Sequence, residues 1–230
     1  TDVFGQFQLS YAKNFGKHSI SAVAAYEQTN SDTKTLKVHI QPPNNYIPLL
    51  NLVNCDQVDD FWYMAARASY IGRFNYNYAE KYLLEIVGRY DGTYLYAPEK
   101  RWGLFPGVSI GWRISNEPFF SPLNNIISDL KLRVSSGVTG SEAGVTPFGY
   151  LGGFDWATGT TGYGLVINTF DGTQITGLRP RGIPVTNLSW IKNRSTNIGF
   201  DFSLFNGKIN GQFDFFERLR TGIPAARYDV

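Results

Sequence analysis

The sequence is poor in the residues that most catalytic and metal-binding sites use. Among 230 residues there is one cysteine and there are two histidines. The single cysteine, Cys55, excludes a disulfide within the chain and has no evident base nearby that would make it a nucleophile. His18 and His39 lie in no metal-ligand motif such as HExxH. We therefore expect no catalytic residue, no histidine metal site and no enzyme activity.

Charge and long apolar runs are also scarce. Charged residues form 17% of the chain, against about 25% in a typical soluble domain. The net charge of +2 gives no reason to expect a nucleic-acid partner. No apolar run approaches the roughly 18 residues that a membrane helix needs. Hydrophobic residues nevertheless reach 43% and aromatic residues 16%, at a mean hydropathy of −0.21. Composition alone leaves two interpretations open: a barrel wall with one apolar face, or an aromatic-rich soluble β-sandwich.

What the sequence does contain is short segments in which apolar and polar residues alternate. In the clearest, Glu80–Tyr90, the aromatic residues Tyr82 and Tyr90 share one side, and the charged residues Glu85 and Arg89 share the other. Successive side chains of a strand point to opposite faces, so this pattern predicts a strand with one apolar and one polar face. About ten such residues cross a bilayer when tilted. The pattern therefore favours a membrane β-barrel.

The same alternation recurs along the chain and predicts eight strands in four hairpins. They are Val3–Ala12, His18–Gln28, Phe61–Phe74, Glu80–Tyr90, Trp102–Arg113, Asp129–Thr139, Trp190–Phe205 and Lys208–Arg218. Two long connections, Thr29–Asp60 and Gly140–Leu188, are predicted as loops. Residues Ile114–Ser128 are expected to contain about one helical turn. Pro106 is awkward within its strand because proline cannot donate a ladder hydrogen bond.

The lengths of the connections predict which side of a membrane each one occupies. In order they are short, long, short, medium, medium, long and short. Membrane barrels place short turns in the periplasm and long loops outside, although the fifth connection is longer than a tight turn. Both chain ends would then lie outside, unlike those of a complete barrel. We therefore expect residues 1–230 to be one part of a larger antiparallel transmembrane β-barrel, and any secretory leader to have been removed or to lie elsewhere.

Charged residues on the polar faces are the first candidates for a functional surface. These candidate lumen-lining residues are Glu85, Arg89, Lys131 and Arg133. Because they alternate with apolar residues, the sequence predicts that they line the lumen or form ion pairs there. Direct contact with a substrate is the alternative.

Aromatic residues in the predicted loops are the second set of candidates. Rings stack on sugars and on peptides, so these side chains are candidate contacts for substrate or partner; equally, they could pack the loops together. The residues are Tyr94, Tyr96, Trp156 and Tyr163.

A cluster of acidic residues suggests calcium, the one cofactor for which the sequence offers ligands. Asp56, Asp59 and Asp60 offer oxygen ligands in a predicted outer loop, and such ligands suit calcium. Their spacing matches no EF-hand loop. Solvated strand-entrance charges explain them equally well, so we expect no cofactor, with calcium as the alternative.

Three blocks of sequence contain recognisable motifs. The first contains EKYLLE at Glu80–Glu85, RYDG at Arg89–Gly92, RWG at Arg101–Gly103, the pair Phe105-Pro106, and GWRIS at Gly111–Ser115. The second is ISDLKLRVSSGVTG at Ile127–Gly140, and the third is Asn187–Phe216, with NIG and LFN motifs. Together the blocks resemble the SusC/RagA family of TonB-dependent outer-membrane transporters; they occur in family order and cover about a third of the chain. Pro106 belongs to the family pattern and is expected to mark a break in strand pairing.

The resemblance implies more than the alternation does. Family members are large closed barrels that import oligosaccharides, or peptides in the RagA branch, with energy relayed by TonB through an N-terminal plug. A SusD-like surface lipoprotein caps the barrel. The resemblance also implies that this chain lies in the C-terminal part of the barrel and lacks the plug and the remaining strands. It places the chain in the outer membrane of a Gram-negative bacterium. The function expected for this chain is a share in oligosaccharide import; the alternatives are a RagA-like peptide importer and a self-contained outer-membrane adhesin or binding barrel.

Overall fold

Eight antiparallel strands form a single sheet. The computed structural model describes residues 1–40, 55–156, 165–167, 174–176, 178–180 and 184–224. The sheet has the order β1-β2-β3-β4-β5-β6-β11-β12, with β1 and β12 as its edges in this part of the chain. Its strands are β1 (Asp2–Phe15), β2 (His18–Ile40), β3 (Cys55–Tyr78), β4 (Tyr82–Thr93), β5 (Trp102–Arg113), β6 (Ile127–Ser141), β11 (Ile191–Leu204) and β12 (Ile209–Thr221).

Smaller elements lie in the connections. Between β6 and β11, two short hairpin-like pairs form: β7 (Phe154–Trp156) with β10 (Leu178–Pro180), and β8 (Leu165–Ile167) with β9 (Gln174–Thr176). The described helices are 3-10 segments at Pro98–Lys100, Ile114–Asn116 and Pro118–Leu123. In the described ranges, no helix has the length and apolar character needed to cross a membrane.

The two ends of the sheet carry connections of different length, as the sequence predicts. At one end lie the turns between β1 and β2, β3 and β4, β5 and β6, and β11 and β12, and only the β5–β6 turn, residues 114–126, is longer than a few residues. The opposite end carries the connections 41–54, 94–101 and 142–190. In the first turn Gly16 has φ +60°, and in the last Phe205, Asn206 and Gly207 have φ +51°, +55° and +86°. The last turn has four residues, between the paired Leu204 and Ile209, and Asn and Gly are the residues that best tolerate such a left-handed backbone.

The register gathers the apolar side chains on one face, which confirms the predicted alternation. One row, defined by residues paired across neighbouring strands, takes one residue from every strand. It consists of Phe15, His18, Tyr78, Tyr82, Trp112, Leu132, Phe200 and Phe213. Most apolar side chains on this face are exposed, for example Phe213 at 63% and Ile110 at 55%. A sheet that exposes so much apolar surface on one face needs an apolar environment there.

Strands β2 and β3 are longer than the sequence predicts. The predicted ends at Gln28 and Phe61 are wrong, because pairing continues from Thr29↔Arg67 up to Ile40↔Cys55. Beyond Asp32 this ribbon has no neighbour from β1, whose last pair is Asp2↔Ser31. Each of its faces mixes polar and apolar residues, with Lys34 and Leu36 on one and Phe61 and Asp59 on the other, so the two-residue period that reveals a half-buried strand is weak. Cross-strand pairs stabilise it instead, such as the ammonium of Lys34, 4.8 Å from the ring centre of Trp62.

Pro106 marks the point at which β5 and β6 separate, as expected. Pairing between the two strands runs only from Gly107↔Gly137 to Arg113↔Lys131. On the outer side of Pro106, Phe105 turns into the gap, and its ring occupies the space that a Cβ on Gly140 would fill. Four described hydrophobic side chains are buried in this region: Leu95, Tyr96, Phe105 and Ile191. Within the described residues, this small core packs the connection 94–101 and Trp190 against the polar face of the sheet.

Candidate functional site: the polar face of the sheet

The polar face is built from rows of short polar side chains. One row crosses six strands through Ser21, Asn75, Glu85, Ser109, Ser135 and Asn197. Within it, Asn75 Nδ2 donates a hydrogen bond of 3.2 Å to Ser21 Oγ. Asn197 Oδ1 is buried and has no hydrogen-bond partner within the described residues. Small hydroxyl and amide groups of this kind suit contact with water or with a polar molecule.

A groove runs over the middle of this face. Its volume is about 640 Å³ and its floor is the close pair Gly107 and Gly137, where a Cβ on Gly137 would lie 3.5 Å from the Cα of Gly107. Glu85 and Arg89 line the groove on β4, and Asn197 lines it on β11. The absence of side chains on both glycines creates the depth of the groove.

All four predicted lumen-lining residues lie on this face. The register sets Glu85 beside Ser109, Arg89 beside Phe105, Lys131 beside Arg113, and Arg133 beside Gly111. These partners occupy the positions of their strands that point away from the apolar face. Contact with a substrate stays a prediction for all four.

On β4, the charged residues are paired with neighbours on β3 and within β4 itself. Glu85 Oε2 accepts hydrogen bonds from Arg73 Nη2 at 2.5 Å and Nε at 3.1 Å. Arg89 Nη2 lies 3.2 Å from Asp91 Oδ1 and 3.9 Å from Glu27 Oε2 on β2. Because each of these charges has a partner of opposite sign, the geometry favours ion pairing on the polar face over unpaired charges that would bind a ligand.

Arg133 forms the most extensive ion pair of the face. Its guanidinium donates to both oxygens of Asp201 at 2.8 to 3.1 Å, and its Nη2 also reaches Asp214 at 3.2 Å. Asp201 and Asp214 belong to β11 and β12. The alternation within β3, β11 and β12 is enough to place Arg73, Asp201 and Asp214 on the polar face. Which of them would meet Arg133 or Glu85 depends on register, which the sequence does not reveal.

The loop aromatic residues that the structure describes separate into two environments. Tyr96 is 1% exposed, with its ring 5.7 Å from that of Trp190. Burial, together with the nearby charge of Glu142, raises the pKa of Tyr96 to about 12. Tyr94 is half-buried; its hydroxyl hydrogen-bonds to that of Tyr63 and its ring packs edge-on to Phe148. In this conformation Tyr96 packs the loop onto the sheet, which is the alternative that the sequence leaves open.

An ion pair near Tyr96 joins β3 to the residues that follow β6. Arg67 Nη2 on β3 lies 2.5 Å from Glu142 Oε2, just after β6. The other oxygen of Glu142 and the hydroxyl of Tyr96 are buried without a partner within the described part of the chain. Trp190, which donates its indole N–H to the Arg101 carbonyl at 3.0 Å, is a packing residue that the alternation pattern does not single out.

Two predicted contacts fall outside what the structure can place. The backbone of Trp156 ends β7, but its side chain lies outside the described residues. Tyr163 lies entirely outside them.

The acidic residues proposed for calcium lie in a strand and not in a loop. Asp59 and Asp60 are consecutive residues of β3, paired with Lys37 and Leu36, so their side chains point to opposite faces. Asp56 belongs to the same strand, at the register shift between the pairs His39↔Gln57 and Ile40↔Cys55, and its side chain lies outside the described residues. Within the described residues, no three histidine, cysteine, aspartate or glutamate side chains come together as metal ligands.

The two faces, the strand order and the alternating connections together define the wall of an antiparallel transmembrane-type β-barrel. No family model matches the sequence. The chain is 35% identical over 156 residues to the TonB-dependent receptor SusC of Bacteroides thetaiotaomicron, a match that covers 65% of this chain and 14% of SusC. It is 33% identical over 149 residues to the TonB-dependent receptor P26 of Formosa agariphila, again covering 65% of this chain and 14% of the relative.

Solved structures show the same fold. The chain superimposes on the RagAB peptide transporter with a TM-score of 0.76 at 21% identity, covering 95% of this chain and 24% of that one. The chain therefore spans about a seventh of the length of the curated relatives given above and about a quarter of the solved transporter chain. The chain is thus similar in sequence to TonB-dependent receptors of the SusC type and shares its fold with the RagAB transporter.

Proposed function

We propose that these eight strands form part of the wall of a larger outer-membrane barrel that imports oligosaccharides in a TonB-dependent manner. The observation that carries the proposal is the separation of faces: one row across all eight strands is aromatic or apolar, and the opposite face carries polar rows and ion pairs. Lipid requires the first kind of surface and a wet lumen the second. The open edges at β1 and β12 support residues 1–230 being one portion of a single barrel domain.

Two partners follow from this proposal. A plug domain outside this chain would connect the barrel to TonB, and a SusD-like surface lipoprotein would cover the outer end. The protruding β2–β3 ribbon and the connection 94–101 are the described elements that a capping lipoprotein would meet, because they lie at the end with the longer connections.

Peptide import is the second candidate. The match to a solved peptide transporter over 95% of the chain supports it, whereas the higher sequence identity is to SusC. A self-contained adhesin barrel is less well supported, because the described sheet leaves both edges without a partner strand.

The test is uptake by cells that carry or lack the full-length transporter gene. Deletion should abolish uptake of fluorescent oligosaccharides, and a plasmid copy should restore it. Loss of labelled peptide uptake instead would favour the peptide importer. If deletion removes only binding of cells to a surface ligand, with no effect on uptake of either substrate, the adhesin interpretation is correct and transport is wrong.

Matched substitutions connect that result to the polar face. Ser109→Trp should fill the groove and slow uptake severalfold, whereas Ile110→Trp, one residue away on the apolar face and outside the groove lining, should leave uptake near the level of the unmodified protein. Equal effects of both substitutions would mean that the groove does not face the transport path.

A further inference from the structure

The β5–β6 turn, residues 114–126, differs in composition from the other turns at its end of the sheet. Each of the other three, all of them described, carries a lysine: Lys17, Lys81 and Lys208. From 118 to 126 this turn reads PFFSPLNNI and contains no charged residue. Three of its apolar side chains are largely exposed, namely Phe119 at 65%, Ile126 at 54% and Leu123 at 47%. Such a segment is unusual in a connection that only has to reverse the chain through water.

Contacts on both sides show that the chain crosses the rim of the sheet within this turn. Ser115 is buried and donates a 2.8 Å hydrogen bond to Asp129, which is paired with Ser203 of the polar face. Two residues later, Glu117 Oε1 accepts a 3.3 Å hydrogen bond from the indole of Trp112. Trp112 belongs to the aromatic row of the apolar face. The turn thus starts on the polar side and continues on the apolar side.

Hydrogen bonds to the carboxylate of Glu117 hold the turn in this position. Its Oε2 accepts a hydrogen bond of 3.0 Å from the ammonium of Lys81, in the neighbouring β3–β4 turn, and its side chain is only 10% exposed. The hydroxyl of Tyr82, another member of the aromatic row, also hydrogen-bonds to Glu117. Phe120 is 6% exposed and packs inward, whereas Phe119 beside it points out. The exposed side chains are therefore presented by a fixed segment.

We propose that the β5–β6 turn is an interfacial anchor that inserts Phe119, Leu123 and Ile126 into the headgroup region of the periplasmic leaflet. The proposal rests on the membrane placement in the proposed function. The argument is continuity: Trp112 and Tyr82 end the apolar face on the same side of the rim, and aromatic residues of this kind sit at membrane–water interfaces. A short, uncharged apolar segment next to them has the composition that lies in such an interface. A soluble periplasmic protein would be the competing occupant.

The test places a bimane fluorophore at single cysteines of the full-length protein, with native cysteines replaced by serine, in vesicles of phosphatidylethanolamine and phosphatidylglycerol. Quenching is measured with lipids that carry a nitroxide near the headgroup or deep in the acyl chain. Phe119→Cys and Leu123→Cys test the anchor. Lys17→Cys, in the tight β1–β2 turn at the same end, is the control for a turn in water. Ile110→Cys, on the apolar face, reports on membrane insertion of the sheet itself.

The anchor predicts strong quenching at 119 and 123 by the shallow nitroxide, and quenching about threefold or more weaker at 17, where a tight turn without exposed apolar side chains lies in water. If the probe at 110 is quenched but those at 119 and 123 match the probe at 17, the anchor is wrong and the membrane barrel stands. If the probe at 110 is not quenched by either lipid, the membrane placement itself is wrong. Because Phe119 and Leu123 are largely exposed, either cysteine should leave the fold intact, and the two positions check one another.

Discussion

Arg133 and Asp214 form an ion pair across a strand that lies between them. Nη2 of Arg133 on β6 is 3.2 Å from Oδ1 of Asp214 on β12, and the residue between them on β11 is Gly199, which is paired with both. A Cβ on Gly199 would collide with the Asp214 carboxylate and lie 2.8 Å from the Phe213 carbonyl oxygen. The missing side chain therefore lets one arginine join three strands on the polar face.

Gly199→Ala should consequently weaken the barrel. The new methyl group must displace Asp214 or the backbone of β12, and overpacking of this kind costs about 1–3 kcal/mol. Gly88→Ala is the matched control, because a Cβ there meets nothing within 4 Å, and it should be neutral or slightly stabilising. Urea unfolding of the full-length protein in vesicles measures both. An equal loss of stability in the two variants would contradict the role given to Gly199.

The facing of β12 is tested by adjacent residues. Phe213 is 63% exposed on the apolar face, and Gln212 points to the polar face, where it is paired with Asp201. Arginine in place of Phe213 should cost about 2–4 kcal/mol if the side chain lies near the bilayer midplane. Gln212→Arg should cost much less, since its side chain stays in the wet lumen beside an aspartate. Equal tolerance at 212 and 213 in an unfolding experiment would reverse or abolish the assignment of faces.

How far the sequence predicts this fold depends on whether each strand has two different faces. β5 is predicted at Trp102–Arg113, the bounds that the structure gives, because its large apolar residues alternate with small ones. The outer half of β2 is harder to predict in this way, because the short alternation of Leu36 and Val38 with Lys37 is broken by Lys34 on the apolar side. Pairing with β3, a long-range relationship, decides its structure.

The candidate site was predictable to a similar extent. Alternation assigns Glu85 and Arg133 to the polar face. It does not reveal that Arg73 or Asp214 would be their partners, since partners depend on register and, for Asp214, on a glycine in the intervening strand. The burial of Tyr96 could not be foreseen either, because it results from Phe105 and Trp190 filling the gap where β5 leaves β6.

Tyr96 provides a test of that small outer core. Its hydroxyl is buried without a hydrogen-bond partner within the described residues, so Tyr96→Phe removes a desolvated group and should change the unfolding free energy by at most about 1 kcal/mol, in the stabilising direction. Tyr96→Ala should cost about 3–5 kcal/mol through the cavity that it leaves. Tyr94→Phe, which loses the hydrogen bond to Tyr63, should be more harmful than Tyr96→Phe. The opposite order would show that the Tyr96 hydroxyl has a partner in solution.

Glu117 predicts a pH dependence of stability. Hydrogen bonds from Tyr82, Lys81 and Trp112 lower the pKa of Glu117 below its ordinary value. Because the folded-state pKa is depressed, the carboxylate contributes stability above the unfolded pKa and loses it as the pH falls through the folded pKa. Glu117→Gln should therefore be less stable than the unmodified protein at pH 7, and the difference should shrink below roughly pH 4.

The control for this experiment is Glu99→Gln. Glu99 is exposed in the 3-10 segment of the β4–β5 connection, so its substitution should change stability little at either pH. A deficit of Glu117→Gln that stays constant from pH 7 to acid would mean that the charge of Glu117 does not fasten the turn.

The most direct test of the central claim, that this chain is part of the wall of a larger importer, is the intact mass of the native protein extracted from outer membranes in detergent, together with the identity of co-purifying chains. We predict a species several times larger than 25.8 kDa, bound to a surface lipoprotein. A stable species near 25.8 kDa without a partner would contradict the account and indicate a self-contained barrel.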